Sequence, residues 1–362
     1  MRLFLACKRH YTNRDLLSDH YGRLYHLPLQ LAALGHQVQV VAADYKGTDS
    51  SRLEFDNLTF DSHPVSPSSL ARFVRYIHRA AREFEPDLLI ASADTYLGVL
   101  GSYLANRNEV PFVFDVYDDY RRFKSARIPG MRSAFNWILR SADLVVCASE
   151  KLEEVVNTHN SSTCVVHNGV DRSLFTPVDK LEARRALALR DDEPIIGYFG
   201  SIAPKRGVDV LIQAISKLRS SDIPARLLLA GKKDAPLNLD VGWIDYRGFV
   251  PQEDVPMLMG ACDVVVVPYL SDPQIDVSNA SKLPEYLACE VPVVSTRVSN
   301  YADLFGLPAE ATCEPNDEAD LARAIRFQLE RRHIVVLPDE FEWRSLALRL
   351  EGALGRTLAA SG

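Results

Sequence analysis

The sequence predicts an α/β protein built from two doubly wound, Rossmann-like domains, and three observations predict this fold class. The chain has 362 residues, whereas a single domain commonly has about 100 to 200. Short apolar runs rich in β-branched residues alternate with longer segments of helical periodicity along the whole chain, which is typical of βαβ units. A turn-rich segment at 168–179 lies near the middle of the chain, so we expect two domains of similar size.

The elements are predicted from these two kinds of pattern. In the first half the strand-like runs are residues 2–7, 37–42, 87–92, 112–117, 143–148 and 163–167. In the second half they are residues 194–200, 225–230, 243–248, 263–268, 291–295 and 311–314. Helical periodicity covers residues 21–34, 70–84, 181–188, 208–218, 283–288, 318–331 and 340–358. Open parallel sheets bind ligands at the carboxyl ends of their strands, so two facing sheets are expected to place one ligand on each wall of a cleft.

Composition excludes several classes of protein. Forty-seven per cent hydrophobic and 25% charged residues are ordinary for a globular protein, and a net charge of -7 disfavours a nucleic-acid binder. Residues 1–175 contain 20 basic and 20 acidic side chains, so the second half carries the whole negative excess. The six cysteines form no C-x-x-C pair, which favours reduced core residues over a disulfide or zinc role. No apolar run has the length of a membrane span or of a signal-peptide core, which predicts a cytoplasmic protein.

Several common active-site signatures are absent. The sequence has no G-x-G-x-x-G dinucleotide loop, no G-x-x-x-x-G-K-[ST] phosphate loop, no H-E-x-x-H zinc helix and no G-x-S-x-G nucleophile elbow. It also lacks a D-x-D pair, which many sugar transferases of another architecture use to hold a divalent metal.

Two segments of the second half have the character of an anion site. In the first, Gly200 and Ser201 end a buried strand, and Lys205 and Arg206 precede Gly207 and a helix. Adjacent cations and free helix amides suit a phosphate, although a turn with two solvated cations has the same pattern.

The second segment runs from residue 278 to 294. Asn279 and Ser281 are plausible helix caps, and Pro284 is tolerated only in a first helical turn, so a helix is expected to begin beside Lys282. Lys282 then suits a diphosphate, and Glu285 suits the vicinal hydroxyls of a ribose. In the alternative interpretation, Glu285 only caps the helix and Lys282 is a surface cation.

Together with 166–171, the order of the strands and the segments 35–38, 247–250 and 285–294, these motifs resemble the retaining glycosyltransferases of family 4 over nearly the whole chain. The resemblance implies the GT-B fold, in which two Rossmann-like domains face each other across a cleft. It implies an acceptor-binding domain at 1–172, a nucleotide-sugar-binding domain at 173–345, and a C-terminal helix at 346–362 that returns to the N-terminal domain.

The resemblance also assigns roles to individual residues. Arg206 matches the family's phosphate-binding Lys, with Lys205 beside it able to share that task. Glu285 matches the ribose-binding Glu, and Phe249 and Val250 follow Gly248 where backbone groups meet the base. The donor-binding set is therefore Gly200, Ser201, Lys205, Arg206, Phe249, Val250, Asn279, Ser281, Lys282 and Glu285.

Three departures from the family pattern stand out. Ser201 occupies the place of a phosphate-binding Arg, for which Lys282 can compensate. Val277 occupies the place of the first Glu of the E-x7-E pair, and either Asp272 or Asp276 is the candidate to replace it. Tyr117 stands where the family often has a His that touches the donor sugar, which leaves Asp118 or Asp119 as the nearest ionisable group.

These residues predict a metal-independent mechanism. Lys205, Arg206 and Lys282 would stabilise the negative charge that develops on the leaving phosphate, so no metal is required there. The resemblance implies retention, with the leaving phosphate taking the acceptor proton. Asp118 is then an orienting or electrostatic group in the catalytic set with Lys205 and Arg206, or it only caps its loop. The donor is expected to be UDP- or GDP-linked, with no further cofactor.

The acceptor side is predicted in the first half. The loop at 8–20 is long for a βα connection, which places His20, Tyr21 and Gly22, with Asp118, in the acceptor set. In the alternative interpretation, His10 and His20 are ordinary loop or packing residues. Residues 120–141 carry six cations and no acid, interleaved with aromatic residues. Arg121, Arg122, Lys124 and Arg127 therefore suit an anionic membrane at its inner face or a lipid-linked acceptor, and a solvated basic surface is the alternative.

Two other functions remain open from the sequence. A UDP-sugar 2-epimerase has a similar architecture but needs a different set of acids and His. An inactive sugar-nucleotide-binding relative would account for Ser201, Val277 and Tyr117. The acceptor itself is a glycan, a lipid-linked molecule or a small molecule.

Overall fold

The computed structural model describes residues 1–11, 14–234, 236–277 and 282–361, and they form two compact units. Within the described residues, unit 1 comprises residues 1–169, 277 and 343–361, and unit 2 comprises residues 170–276 and 282–342. The chain passes from unit 1 to unit 2 between residues 169 and 170 and returns between residues 342 and 343. The domain boundaries predicted from the sequence are at 172/173 and 345/346.

Unit 1 is an α/β unit around a mostly parallel sheet. Its strands are β1 Arg2–Lys8, β2 His10–Tyr11, β3 Arg14–Asp15, β4 Gln37–Asp44, β5 Ser51–Phe55, β6 Leu58–Pro64, β7 Leu88–Ser92, β8 Phe112–Val116, β9 Leu144–Cys147 and β10 Thr163–Val165. In the described part of the chain, eight of these form one sheet in the order β10-β9-β8-β7-β1-β4-β6-β5. Among the described strands of this sheet, only β5 runs antiparallel to its neighbour, and β2 and β3 form a separate hairpin.

The helices of unit 1 cover the sheet on two faces. They are α1 Arg23–Ala33, α2 Leu70–Phe84, α3 Thr95–Asn108, α4 Met131–Ser141, α5 Glu150–Val156 and α12 Trp343–Ser361. One core cluster lies under α1 and α12, and a second lies under α2, α3 and α4. The central strands are buried along their length, as a parallel sheet with helices on both faces requires.

The C-terminal helix α12 packs on α1, as the resemblance implied. Leu346, Leu350 and Leu354 are buried in the same cluster as Leu31 of α1, and each fully buried leucine contributes about 1.5 to 3 kcal/mol. The ring of Trp343 stacks on His26 at a centroid distance of 5.1 Å. Among the described residues, no helix is both long and apolar enough to span a bilayer.

Unit 2 has a fully parallel sheet. Its strands are β11 Ile195–Phe199, β12 Arg226–Ala230, β13 Ile244–Tyr246, β14 Val264–Val267, β15 Val293–Thr296 and β16 Thr312–Cys313. In the described ranges they lie in the order β13-β12-β11-β14-β15-β16. The helices are α6 Lys180–Ala186, α7 Val208–Ser220, α8 Val255–Gly260, α9 Lys282–Ala288, α10 Tyr301–Leu304 and α11 Glu318–Arg331. Two Rossmann-like units are thus confirmed.

Candidate functional site

The sheet of unit 2 reverses its strand order between β11 and β14. From β11 the chain proceeds outward through β12 to β13, and from β14 it proceeds outward through β15 to β16. Open α/β sheets bind ligands in the crevice outside the carboxyl ends of the strands at such a switch point. Gly200 and Ser201 follow β11, and Pro268 and Tyr269 follow β14. The predicted donor residues therefore begin at the expected place.

Gly200 lies against the side chain of Lys282. The φ angle of Gly200 is +148°, and a Cβ atom built on it would lie 2.0 Å from Lys282 Nζ. The same ammonium is 6.0 Å from the ring centroid of Tyr198. Only glycine satisfies both the backbone angle and the close approach. The structure thus joins two segments that are distant in the sequence, the strand end at 200 and the helix at 282.

The helix α9 is anchored so that Lys282 and Glu285 share its partly exposed face. Leu283 and Leu287 are fully buried in the core of unit 2. The hydroxyl of Tyr286 accepts a hydrogen bond from the backbone N–H of Phe199 at 3.0 Å, which ties the helix to the end of β11. Residues three apart on a helix are neighbours, so the ammonium of Lys282 and the carboxylate of Glu285 lie on the same side of α9.

Lys205 and Arg206 are placed over the chain that follows β14. They lie in a 3-10 helix, Pro204–Arg206. The guanidinium of Arg206 is 4.6 Å from the ring centroid of Tyr269. Gly207 has a φ of +64°, and a Cβ atom there would lie 1.8 Å from the carbonyl oxygen of Pro268. Lys205, Arg206 and Lys282 therefore all belong to one edge of the sheet, where α7 also begins, and this arrangement suits an anion.

Asp272 forms an ion pair with Lys205 at this edge of the sheet. Its Oδ2 atom is 2.6 Å from Lys205 Nζ, and its Oδ1 atom accepts a hydrogen bond from the N–H of Gln274 at 3.0 Å. Burial alone would raise the pKa of Asp272, but the hydrogen bonds from Lys205 and the backbone lower it below the ordinary value. The backbone N–H of Asp276 donates to the carbonyl of Asp272 at 2.8 Å. Asp272, one of the two candidate aspartates, thus contacts a predicted donor residue.

The segment predicted to contact the nucleotide base, residues 247–250, is connected to the same edge of the sheet by the backbones of Gly231 and Gly248. Gly231 follows β12 with a φ of +141°, and a Cβ atom there would lie 1.9 Å from the carbonyl oxygen of Gly200. Its N–H donates to the carbonyl of Gly248 at 2.6 Å. The next residue, Phe249, is 65% exposed, which leaves its ring accessible for stacking, whereas Val250 is half-buried. The predicted residues Asn279 and Ser281 lie outside the described residues.

In unit 1, Asp118 and Tyr117 follow β8 at the carboxyl edge of the sheet. The ring of Tyr117 lies edge-on to Tyr11 at 4.9 Å and to Tyr120 at 5.7 Å. Burial, with a further contribution from the charge of Asp118, raises the pKa of Tyr11 to about 12, although Arg23 lowers it. These phenols are neutral at physiological pH, and the charge of the half-buried Asp118 acts on Tyr11 and Tyr120.

The predicted acceptor residues divide into two groups. Tyr21 stacks on Tyr11 at 6.2 Å, and a Cβ atom on Gly22, which has a φ of +73°, would lie 2.7 Å from the ring of Tyr11. Tyr21 and Gly22 are therefore brought together with Tyr117 through one ring. The imidazole of His20 instead stacks on Tyr25 at 4.7 Å.

A buried ion pair in unit 1 was missed from the sequence. Arg23 donates to both carboxylate oxygens of Asp115, at 2.6 and 3.2 Å, and to the carbonyl of Val166 at 2.9 Å. Ser92 also donates to Asp115. The feature that could have revealed this pair is Asp115, a charged residue in the wholly buried strand β8. A buried charge needs a partner.

In the structure, two cations of the basic segment after β8 are paired with an acidic residue. Asp119 accepts hydrogen bonds from Arg121 at 2.8 Å and from Arg122 at 3.1 Å. These two cations, predicted to contact a membrane, are thus paired by a residue just before the acid-free run. Lys124 and Arg127 are exposed, and Ile128 is 50% exposed beside them.

Two families match the chain. Residues 23–174 match the family described as Glycosyltransferase Family 4, and residues 193–331 match the family described as Glycosyl transferases group 1. Curated relatives include the D-inositol 3-phosphate glycosyltransferase of Mycobacterium sp. (strain KMS), which is 28% identical over 326 residues, 81% of this chain and 68% of the relative. The protein of the same description from Mycobacteroides abscessus is 30% identical over 239 residues, 60% of this chain and 52% of the relative, so the chain spans about half of that relative.

Solved structures show the same fold. Sucrose-phosphate synthase from Thermosynechococcus elongatus matches with a TM-score of 0.80 at 22% identity, over 100% of both chains. HepE from Anabaena in complex with UDP matches with a TM-score of 0.72 at 18% identity, over 98% of this chain and 100% of that chain. The catalytic domain of starch synthase IV from Arabidopsis thaliana, bound to ADP and acarbose, has a TM-score of 0.71 at 14% identity, over 99% of both chains. The predicted GT-B fold is confirmed.

Proposed function

The chain belongs to glycosyltransferase family 4, within the group 1 glycosyl transferases, and from this premise we propose that it transfers a sugar from a nucleoside diphosphate sugar to an acceptor hydroxyl. The observation that carries the proposal is the contact between Gly200 and Lys282 at the switch point of unit 2. It puts a cation against a strand-end backbone where open α/β sheets bind ligands. Lys205 and Arg206 follow at the same edge.

The roles of the donor residues follow from the charge of the ligand. A diphosphate gains negative charge as the bond to the sugar breaks, and preorganised cations lower the free energy of that state. Lys282, Arg206 and Lys205 supply this charge in our proposal. Glu285, on the same face of α9 as Lys282, accepts hydrogen bonds from the ribose hydroxyls, and the ring of Phe249 packs on the base.

Retention and metal independence are further parts of the proposal. Three cations around one diphosphate take the place that a divalent metal occupies in other sugar transferases, so we propose that no metal is needed. The leaving phosphate accepts the proton of the acceptor hydroxyl, and Asp118 orients or stabilises the reacting groups. The complexes of HepE with UDP and of starch synthase IV with ADP support a nucleoside diphosphate donor. We propose a UDP- or GDP-linked sugar, and a glycan, lipid-linked or small-molecule acceptor.

A transfer assay tests this function. The protein is incubated with UDP-glucose or GDP-mannose and a panel of sugar, polyol and lipid-linked acceptors, and nucleoside diphosphate release and product configuration are followed by NMR. We expect release that depends on the acceptor, an α-linked product from these α-linked donors, and an unchanged rate in EDTA. Release of a free epimerised sugar, or tight nucleotide binding with no turnover for any acceptor, contradicts the proposal and supports one of the two alternatives.

We also propose peripheral contact with the inner face of an anionic membrane through the exposed cations of the basic segment. We expect vesicles containing phosphatidylglycerol to sediment the protein, and Lys124→Ala with Arg127→Ala to weaken this by roughly 30-fold, because each cation near such a surface contributes about 1 kcal/mol. Arg72→Ala with Arg75→Ala is the matched control, since both side chains are exposed on α2 and the charge removed is equal. Equal sedimentation of the two double variants contradicts the contact.

A further inference from the structure

The sheet of unit 1 has its own switch point, between β1 and β7. From β1 the sheet extends through β4 and β6, and from β7 it extends through β8, β9 and β10. Lys8 ends β1, and Asp94 follows β7. The Nζ atom of Lys8 lies 2.6 Å from Oδ2 of Asp94. A polar pair thus occupies the position at which open α/β sheets bind ligands, and Asp94 was not among the residues predicted from the sequence.

The backbone next to Asp94 is strained. Ala93 has a φ of +139°, which a residue with a side chain rarely adopts, and it is fully buried. The Oδ1 atom of Asp94 accepts hydrogen bonds from the N–H groups of Tyr96 and Leu97 at 3.1 and 3.2 Å. One carboxylate oxygen therefore caps α3 while the other faces Lys8. Strain of this kind persists where the surrounding structure fixes it, and it clusters at functional sites.

Two exposed aromatic residues lie beside the pair in the chain or in the sheet: Tyr96 is two residues beyond Asp94, and Tyr45 directly follows β4, whose Ala43 is paired with Lys8 in the parallel register. Tyr45 and Tyr96 are 50% and 49% exposed. The turn that carries Tyr45 is fixed by Asp44, whose Oδ1 atom accepts hydrogen bonds from the N–H groups of Lys46 and Gly47, both at 2.8 Å. Partial burial, and then the charge of Asp94 and the phenol of Tyr96, raise the pKa of Tyr45, in agreement with this placement.

We propose that Lys8, Asp94, Tyr45 and Tyr96 form a subsite that binds a sugar ring of the acceptor. A pyranose has an apolar face of C–H groups that packs on aromatic rings, and a rim of hydroxyls that donate to a carboxylate and accept from an ammonium. Because the Lys8–Asp94 pair is neutral overall, the subsite suits an uncharged polyol better than a phosphate. The inference deepens the acceptor side of the proposed transfer and rests on that function.

The test is saturation-transfer NMR on the full chain with three probes: methyl α-D-glucopyranoside, methyl α-D-mannopyranoside and N-acetylglucosamine. We expect saturation of ring C–H protons of at least one probe by the unsubstituted protein. Tyr45→Ala and Tyr96→Ala should each weaken that binding by roughly tenfold. Asp94→Asn should weaken it as well while it keeps the helix cap, since asparagine caps as well as aspartate.

Tyr103→Ala is the matched control, because Tyr103 lies on the same helix and is 47% exposed, outside the proposed subsite. Its binding should equal that of the unsubstituted protein, with unchanged melting temperatures throughout the set. No saturation of any probe, or binding that survives Tyr45→Ala, Tyr96→Ala and Asp94→Asn, overturns the subsite. Equal loss in Tyr103→Ala and Tyr96→Ala, together with equal loss of sedimentation with phosphatidylglycerol vesicles, overturns it in favour of a lipid surface.

Failure of the subsite is distinguishable from failure of the proposed function. Binding of nucleoside diphosphates depends on residues of unit 2 and should be the same in all four variants. If the protein binds a nucleoside diphosphate but no sugar probe, the subsite is refuted and the proposed donor is not. If the protein binds a sugar probe through Tyr45 and Tyr96 but binds no nucleoside diphosphate, the proposed donor is refuted and the subsite is not.

Discussion

Replacement of Gly200 by alanine should weaken nucleoside diphosphate binding by roughly 10- to 100-fold. The new Cβ atom would lie 2.0 Å from Lys282 Nζ and 2.2 Å from its Cε atom, so the lysine side chain must leave its position. A charge-assisted hydrogen bond of the kind lost there is worth about 1.5 to 3 kcal/mol. Isothermal titration of the full chain with UDP and GDP measures the change.

Gly306→Ala provides the matched control for this substitution. Gly306 also lies in unit 2 and has a φ of +64°, but nothing lies within 4 Å of a Cβ atom built on it. Both variants therefore carry backbone strain, and only Gly200→Ala displaces a cation. Equal affinities of the two variants for the nucleotide would show that Lys282 does not act from the position seen in the structure.

Arg23→Ala should destabilise unit 1 by about 3 to 5 kcal/mol, because it leaves the carboxylate of Asp115 buried without its cation. For a unit of this size the loss corresponds to a fall of roughly 10 °C in melting temperature. The side chain of Arg23 is fully buried, and it makes hydrogen bonds to Asp115 and Val166 that link α1, β8 and the chain after β10. Differential scanning calorimetry of the full chain measures the shift.

Two further variants separate the buried pair from charge in general. Arg79→Ala removes an exposed arginine whose partner Glu83 is 3.8 Å away, and exposed pairs of this type contribute less than about 0.5 kcal/mol. Arg23→Met combined with Asp115→Leu removes both buried charges and should recover much of the lost stability. If Arg23→Ala has the same melting temperature as the unsubstituted protein, the ion pair does not hold the three segments together.

Most of the fold could be predicted because buried parallel strands leave a strong pattern. The runs at 2–7, 112–117 and 225–230 correspond to β1, β8 and β12, whose central residues are buried. The hairpin of β5 and β6 was missed, because β5 is mostly exposed at the sheet edge and has no apolar run. The helices α3, α4, α5, α8 and α10 were also missed. The residues of α3 include Gly98 and Gly101, which lie against Phe114 and Ala91, so close packing rather than amphipathic periodicity places this helix.

The candidate site could be predicted where it depends on local sequence. Lys205, Arg206, Lys282 and Glu285 come to one edge of unit 2 because their segments follow strands that end there. The partners of these residues could not be predicted in the same way. The pairing of Asp272 with Lys205, of Asp119 with Arg121, and of Lys8 with Asp94 depends on which strands are neighbours, and strand order is not encoded in any short motif.

The central claim is that unit 2 binds a nucleoside diphosphate through Arg206, Lys282 and Glu285. Isothermal titration of UDP, GDP, ADP and dTDP into the unsubstituted protein, Arg206→Ala and Glu285→Ala tests it most directly. We predict binding of at least one of these nucleotides at one site per chain, and loss of that binding in both variants. Binding that is unchanged in both variants, or no binding of any of the four nucleotides, would contradict the claim.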